Sequence, residues 1–207
     1  MPDEHAIASV AKLRECYPKL PNERARRKAL DGLDTHMRNF IARAPFLCLG
    51  TSSEQGADVT PRGDRPGFVH VLDDSTILIP DWPGNNRLDS LTNIVLNPRV
   101  GLLLFIPGVD ETLRINGVAE VTTDPDLIRR WDVNGKHPKS VLKVTVQQAF
   151  LHCAKALIRS HLWGGEYRID RKELPSYGQI LKDQTGVADS VQEIQAAIDH
   201  SYRENLY

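Results

Sequence analysis

The sequence predicts a mainly β protein, in which a small barrel has flanking helices and helical segments at both ends. About seven short segments have the apolar or alternating pattern of β-strands, and turn residues separate them. One helical segment stands between the first four strands and the later ones. Short strands in this arrangement typically close on themselves as a barrel. The length of 207 residues suits one ordinary domain with appendages.

The first four strands are predicted to form two hairpins. FLCLGT at 46–51 and DVTPR at 58–62 lie on either side of the turn SSEQGA. FVHVL at 68–72 and TILIP at 76–80 lie on either side of a second turn of three polar residues. Three later strands follow at 100–106, at 113–121, where apolar and polar residues alternate, and at 141–146.

Helical patterns precede, interrupt and follow these strands. The first forty residues read as helical, with breaks at Pro18 and Pro21. A capping box from Ser190 to Glu193 predicts a final amphipathic helix, which must pack on the barrel or on a partner subunit. Other helices are predicted with Met37, Phe40, Ile41 and Ala44 on one face, with Leu88, Leu91 and Val95 on one face, and from Asp124-Pro125.

These patterns divide the chain into three parts. A helical N-terminal extension occupies 1–40, the barrel domain occupies 41–165, and a C-terminal tail with the amphipathic helix occupies 166–207.

Composition favours a cytoplasmic protein without a nucleic-acid or membrane partner. The net charge is −1, so any bound anion must be held by a local cluster of cations. The acidic N-terminus lacks the apolar run of a signal peptide, and no segment approaches the roughly 18 to 20 apolar residues of a membrane span. Three distant cysteines predict buried free thiols, and the scattered histidines predict no metal site.

The segment at 80–87, PDWPGNNR, is the first candidate for a binding site. Asn85 and Asn86 precede Arg87 at the expected start of a helix. Helix N-termini carry unpaired N–H groups and partial positive charge, and a guanidinium group adds charge-assisted contacts to a phosphate. The alternative interpretation is a polar loop with an asparagine N-cap and a solvated arginine.

A second cluster, TPRGDR at 60–65, follows a predicted strand. Neighbouring hairpins of a small barrel can bring both clusters to one rim, where they would form a phosphate site without a P-loop or a dinucleotide fingerprint. The alternative is a turn that carries two surface arginines.

These motifs together resemble one known family. PRGD, then ILIPDWPGNNRLDSLTNIVLNPRVGLLLFIPG, and then ETLRINGVAEV are similar to the pyridoxamine 5′-phosphate oxidase-like, FMN-binding split-barrel family, over roughly residues 40 to 165. The likeness is greatest to its uncharacterised bacterial flavoprotein branch. The resemblance implies a split β-barrel, FMN as the cofactor, and a homodimer with the flavin at the two-fold interface.

The resemblance also implies roles for individual residues. Arg62, with Gly63 and Asp64 after it, occupies the place of a family arginine that binds the flavin phosphate. Asn85-Asn86-Arg87, with Asp81 before it, stands where the family has a Ser-Arg-Lys segment that also holds the phosphate. Thr112 matches a polar position near the flavin.

A further group at 152–163 could complete the site from the second subunit. Lys155, Arg159 and Trp163 are four residues apart and would share one face if the segment is helical. Trp163 could then cover a flavin ring. The alternative is a core tryptophan below two surface cations.

The leading functional hypothesis is an FMN-dependent oxidoreductase that acts on an unidentified small molecule. No Ser-His-Asp, paired-carboxylate or Cys-His constellation competes as a catalytic centre, so no catalytic residue is assigned. Two alternatives stay open. One is a non-catalytic flavin-binding or sensor module, and the other is a split barrel that binds deazaflavin or haem.

A true pyridoxamine-phosphate oxidase is not expected. Those enzymes bring an Arg-Leu-His-type segment to the substrate phosphate, whereas Asp170 stands in the place of the histidine here. A carboxylate repels a phosphate, although it could instead pair with Arg168. The substrate is therefore expected to be uncharged or hydrophobic.

Overall fold

A computed structural model describes residues 5–207 of the chain. In this range seven antiparallel strands form one sheet in the order β2-β1-β5-β6-β7-β4-β3. Their bounds are Phe46–Ser53 for β1, Gly56–Gly63 for β2, His70–Val71 for β3, Thr76–Asp81 for β4, Arg99–Phe105 for β5, Thr112–Thr122 for β6 and Ser140–His152 for β7.

Eight α-helices surround the sheet in the described range. They are Val10–Cys16 (α1), Glu23–Arg27 (α2), Thr35–Ile41 (α3), Asp89–Leu96 (α4), Pro125–Ile128 (α5), Lys155–Ser160 (α6), Tyr177–Thr185 (α7) and Val191–Glu204 (α8). The predicted class, a mainly β split barrel with flanking helices, is confirmed.

The expectation of a fully closed barrel is wrong. The outer strands β2 and β3 share no ladder of hydrogen bonds, so the sheet has an open seam. The reason lies in β3, which is only two residues long and offers too few backbone groups to pair with β2. Both hairpins have the predicted pairing, β1 with β2 and β3 with β4.

The core lies between the curved sheet and α3. The predicted apolar face of α3 is confirmed, because Met37, Phe40, Ile41 and Ala44 are all buried. Burying each large apolar side chain contributes roughly 1.5–3 kcal/mol. The same core contains buried strand residues, among them Leu47, Leu49, Ile77, Ile79, Leu102, Leu104, Leu113, Ile115 and Leu142.

The longest strand pair requires one glycine. At Gly117 the pairing of β6 with β7 shifts register, and a Cβ atom there would lie 2.2 Å from the carbonyl oxygen of Thr145. Only glycine permits this close approach of two backbones. β7 also extends beyond the predicted 141–146 to His152, and residues 148–152 pair with β6.

Helix α4 buries only part of the predicted face, because Leu91 packs against the core but its two predicted neighbours do not. Leu88 and Val95 are exposed, whereas Ser90, Asn93 and Ile94 are buried. Asn93 Nδ2 donates to Thr51 Oγ1 at 3.2 Å and to Asp58 Oδ2 at 2.7 Å. The helix is therefore held on β1 and β2 by hydrogen bonds as well as by apolar contact, and buried polar groups require such partners.

The N-terminal extension is less helical than predicted. Between residues 5 and 34 only α1 and α2 are helical, and neither buries a side chain. Residues 1–4 lie outside the described residues. The three cysteines are free, as expected, but Cys16 and Cys153 are exposed, so the expectation of buried thiols is wrong for both.

The tail folds as a pair of helices. The capping box at Ser190 and Glu193 is confirmed, and α8 packs on α7, a helix that the sequence did not predict. Gly178 permits this contact, because a Cβ atom there would lie 2.9 Å from the carbonyl oxygen of Val191. Its N–H donates to Gln195 Oε1 at 2.9 Å. The domain boundaries at 40 and 165 stay a prediction.

We expect Asn93→Ala to destabilise the protein by about 1–3 kcal/mol, because it leaves the buried Thr51 hydroxyl and the Asp58 carboxylate without their donor. Urea unfolding measures the change. Thr92→Ala, on the exposed side of the same helix, is the control and should stay within about 0.5 kcal/mol of the original chain. Equal midpoints for both variants would contradict the role given to Asn93.

Candidate functional site

An ion pair crosses the open seam of the sheet. Arg62 lies near the end of the outer strand β2, and Asp81 ends β4, next to the opposite edge. Arg62 Nη1 nevertheless donates to Asp81 Oδ1, and the two side chains are only 20% and 14% exposed. Arg62 Nε is buried and has no hydrogen-bond partner among the described residues. Buried donors are rarely left unpaired, so this atom indicates a missing acceptor.

A cleft of about 730 Å³ opens beside this pair. One wall is the loop at 82–88, which joins β4 to α4. Five of the predicted cofactor residues line the cleft: Arg62, Asp81, Asn85, Asn86 and Arg87. The two clusters that the sequence singled out therefore meet at one rim of the sheet.

The loop at 82–88 has an unusual backbone. Asn86 and Leu88 adopt left-handed conformations, with φ of 58° and 60°, on either side of Arg87. Such conformations are costly for a residue other than glycine and are concentrated at functional sites. Asn85 Oδ1 accepts a hydrogen bond from the N–H of Arg87 at 3.1 Å, which stabilises the turn.

The asparagine N-cap of the alternative interpretation is absent. Leu88 is the N-cap of α4, and no side chain caps this helix. Its first N–H groups and positive helix end therefore face the cleft region without a side-chain acceptor.

Arg87 is 72% exposed and donates through Nε to Asp89 Oδ2 at 2.9 Å. The hydrogen bond to Asp89, and then the charge of Asp89, raise the pKa of Arg87, so it stays a cation. Arg87 is thus a solvated arginine that can reorient.

The cleft has only a small excess of positive charge. Arg62, Arg87 and Lys139 line it together with Asp81 and Asp89. Because both arginines have carboxylate neighbours, a bound anion would compete with Asp81 and Asp89 for Arg62 and Arg87.

A hydrogen bond of 2.9 Å between Thr60 Oγ1 and Ser90 Oγ joins the start of α4 to β2.

The tail forms the opposite wall of the cleft. Tyr177 of α7 and Ser201 and Tyr202 of α8 line it, with Asn205 and Leu206 beyond that helix. None of these residues was singled out in the sequence, and neither was Lys139. The amphipathic pattern of α8 predicted that one face of the helix is packed. It did not predict which part of the protein that face contacts.

Tyr207 attaches the tail to the loop at 82–88. Its hydroxyl donates to Asp64 Oδ1 at 2.6 Å, and Trp82 Nε1 donates to the other oxygen of Asp64 at 3.2 Å. The two rings pack edge to face with centroids 4.9 Å apart. Lys136 Nζ also donates to the backbone oxygen of Tyr207 at 2.9 Å. The hydrogen bond to Asp64 raises the pKa of Tyr207, with burial as the second cause.

Asp64 therefore contacts protein donors beside the cleft and does not line it. Gly63 does not line it either. It pairs with Phe46 at the end of β2.

The four remaining predicted residues lie elsewhere in the chain. Thr112 is buried at the start of β6, opposite His152, and Lys155 and Arg159 are exposed on α6. Trp163 Nε1 donates to the carbonyl oxygen of Val109 at 2.9 Å. None of the four lines the cleft of the same chain.

Trp163 does not share a helical face with Lys155 and Arg159. Helix α6 ends at Ser160, and His161 adopts a left-handed conformation that turns the chain away. The predicted common face is therefore wrong for Trp163. The ring is 37% exposed and is not a core tryptophan either.

The segment after Trp163 also differs from the expectation. The Asp170 carboxylate accepts from the N–H of Lys172 at 2.8 Å, and Glu173 accepts from the N–H of Asp170 at 3.0 Å. This capping box begins a 3-10 turn at Arg171–Glu173. Within the described residues Asp170 has no ion pair with Arg168, so that interpretation is wrong.

No group of three His, Cys, Asp or Glu side chains in residues 5–207 could hold a metal ion. In the same part of the chain, no helix has both the length and the apolar character of a membrane span.

Several solved structures are similar to this chain. HupZ from Group A Streptococcus is 17% identical and matches 57% of this chain and 93% of its own, with a TM-score of 0.48. An FMN-binding protein from Syntrophomonas wolfei is 12% identical over 56% and 88%, with a TM-score of 0.42. An F420 reductase is 17% identical over 58% and 98%, with a TM-score of 0.41. These likenesses assign neither a ligand nor an activity to this chain.

The family comparison is more specific. No curated protein matches the chain in sequence. The family model described as pyridoxamine 5′-phosphate oxidase matches residues 33–153, more than half of the chain, and this range contains the seven strands, the loop at 82–88 and the Arg62–Asp81 pair. The chain belongs to the pyridoxamine 5′-phosphate oxidase family.

Proposed function

We propose that the chain binds FMN in the cleft between Arg62 and the loop at 82–88. The observation that carries this proposal is the buried Nε of Arg62, which lacks an acceptor beside a cleft that also holds Arg87. A phosphate oxygen is a suitable acceptor, because guanidinium and phosphate groups form short, often bidentate, charge-assisted hydrogen bonds.

The size and chemistry of the cleft fit a mononucleotide. Its volume of about 730 Å³ lies within the range of roughly 300–1,000 Å³ for small-molecule sites. The uncapped start of α4 adds N–H donors for a phosphate. The chain has no GxGxxG sequence of the kind that binds the pyrophosphate of a dinucleotide, which favours FMN over FAD.

Each residue of the cleft has a role in this proposal. Asp81 orients the guanidinium group of Arg62, and Arg87 moves from Asp89 to the phosphate. Bound FMN supplies hydride or electron transfer, while the protein positions it and excludes water. We propose that the chain is thereby an oxidoreductase acting on a small molecule in the cytoplasm.

A homodimer is the second part of the proposal. The outer strand β2 and the adjacent helix α4 expose apolar side chains, with Val59 and Val95 73% and 75% exposed. Unpaired strand edges and apolar patches of this kind are typical of subunit interfaces. Three exposed residues that do not line the cleft of their own chain, Lys155, Arg159 and Trp163, would then contribute to the flavin site of the partner.

We expect the purified protein to be yellow and to release FMN, not FAD, on denaturation. Absorbance spectra and chromatography of the released cofactor measure this. Colourless protein that takes up no added FMN, or protein that carries deazaflavin or haem, would overturn the proposal.

Arg87→Ala should weaken FMN binding by roughly 10- to 100-fold, because a charge-assisted contact contributes about 1.5–3 kcal/mol. Arg62→Ala should have the same effect, and it should also lower stability, since it leaves Asp81 without its partner. Flavin fluorescence titration measures the affinities, and urea unfolding measures the stability. Arg99→Ala, at an exposed arginine outside the cleft, is the control. Unchanged titrations for both cleft variants would show that the phosphate lies elsewhere.

The flavin-bound protein should have about twice the chain mass of 23.2 kDa by light scattering. Val95→Lys should reduce this mass at micromolar concentration, because it places a charge in the proposed interface, whereas Val187→Lys on the tail should not. A mass near 23.2 kDa for the original chain would contradict the dimer.

We expect no turnover of pyridoxamine 5′-phosphate. The carboxylate of Asp170 stands in place of the histidine that the oxidases use, and it caps a turn instead. Aerobic incubation with this substrate should form neither pyridoxal phosphate nor peroxide. Turnover on the order of 1 to 10³ s⁻¹, as enzymes show on their own substrates, would refute this expectation.

A further inference from the structure

A second cavity lies within the tail. We call this cavity of about 670 Å³ the tail pocket, and its walls include Arg171, Lys172, Leu174, Tyr177, Gln195 and Tyr202. It lies between the 3-10 turn at Arg171–Glu173 and the two tail helices α7 and α8. The range matched by the family model ends at residue 153, so none of these residues lies within it.

Arg171 has one edge of its guanidinium group available in the tail pocket. Its Nη1 donates to the backbone oxygens of Leu174 at 3.1 Å and of Pro175 at 2.9 Å. Its Nε and Nη2 take part in no hydrogen bond to the described residues. The two backbone contacts hold the guanidinium group of Arg171 in place. Its Nε and Nη2 therefore need little further ordering to donate two hydrogen bonds to one carboxylate.

The charges around the tail pocket favour an anion. Arg171 and Lys172 are in its lining, and no carboxylate is. The two acids next to these cations in sequence, Asp170 and Glu173, accept hydrogen bonds from the backbone N–H groups of Lys172 and Asp170. Gln195 is satisfied by Gly178 and Asp199, at 2.9 and 2.8 Å, and therefore needs no ligand. The two cations and the hydroxyl groups of Tyr177 and Tyr202 are thus the polar groups available to a ligand.

The rest of the pocket favours an aromatic body. Leu174, Tyr177 and Tyr202 are all exposed, although their side chains are largely apolar. Neither tyrosine ring packs on another aromatic ring of the described residues. Sites for small molecules typically combine such apolar walls with few polar groups, and aromatic rings prefer to pack on one another.

The tail pocket adjoins the cleft proposed for FMN, because Tyr177 and Tyr202 line both. We infer that the tail pocket binds a small aromatic carboxylate, whose carboxylate contacts Arg171 and whose ring lies against Tyr177 and Tyr202. Resting on the proposed FMN function, the inference assigns aromatic carboxylates as the substrate class. The sequence predicted an uncharged or hydrophobic substrate. The inferred ligand has a hydrophobic ring but differs from that prediction in its carboxylate.

Calorimetric titration of the full chain with sodium 1-naphthoate tests this inference. We expect naphthoate to bind, and its neutral analogue 1-naphthamide to bind at least 10-fold more weakly. Arg171→Gln should weaken naphthoate binding by roughly 10- to 100-fold, since it removes a charge-assisted contact. Tyr202→Ala should weaken it by roughly 2- to 10-fold through the lost ring contact. Arg168→Gln, an exposed arginine outside the pocket, is the matched control and should bind normally.

Titrations with and without FMN separate this inference from the proposed function. Naphthoate binding that requires Arg171 in a chain that takes up no FMN would support the pocket and overturn the flavin function. Equal binding of naphthoate and naphthamide, or an unchanged affinity for Arg171→Gln, would overturn the pocket even if FMN binds. With FMN bound, naphthoate should shift the visible flavin spectrum, and binding without such a shift would overturn the substrate assignment.

Discussion

The ion pair between Arg62 and Asp81 is the contact on which the arrangement of the cleft depends. The sheet is not closed by backbone hydrogen bonds, so side chains must relate the end of β2 to the end of β4. A partly buried ion pair contributes little net stability, because the desolvation of both groups offsets their attraction. The ion pair instead fixes the positions of its two side chains. It places the guanidinium group of Arg62 beside the loop at 82–88 and leaves Nε without an acceptor.

Local patterns predicted most of the sheet, because strand period and turn residues act over a few positions. Helix α4 shows where this reasoning fails. Counting apolar residues at helical spacing selected Leu88, Leu91 and Val95, of which only Leu91 packs against the core. The buried face also carries Ser90 and Asn93. The Asn93 amide finds two acceptors on β1 and β2, and a single sequence does not show that such partners exist. Burying Ser90 and Asn93 leaves the apolar side chain of Val95 in contact with water, and a second subunit would cover it.

The candidate site was predictable in part for a similar reason. Arg62 and Arg87 were identified because each belongs to a short, unusual motif, and hairpin geometry brings such motifs to one rim. The tail wall could not be identified, since Tyr207 and Asp64 are 143 positions apart and Tyr207 stands in no recognisable pattern. Trp163 was misplaced because the left-handed residue His161, which ends α6, is not a glycine or an asparagine.

A chain with a net charge of −1 can still bind an anion, provided that it separates its charges locally. In the cleft each arginine is paired with a carboxylate. The net positive potential there is therefore small, and the carboxylates serve to orient the two guanidinium groups. Beside the tail pocket Asp170 and Glu173 make capping hydrogen bonds, and the charged residues that line the pocket are cations. The first arrangement favours a ligand with several strong acceptors, such as a phosphate, which can displace a carboxylate. The second suits a weaker, singly charged group, and the shared tyrosines place two such ligands side by side.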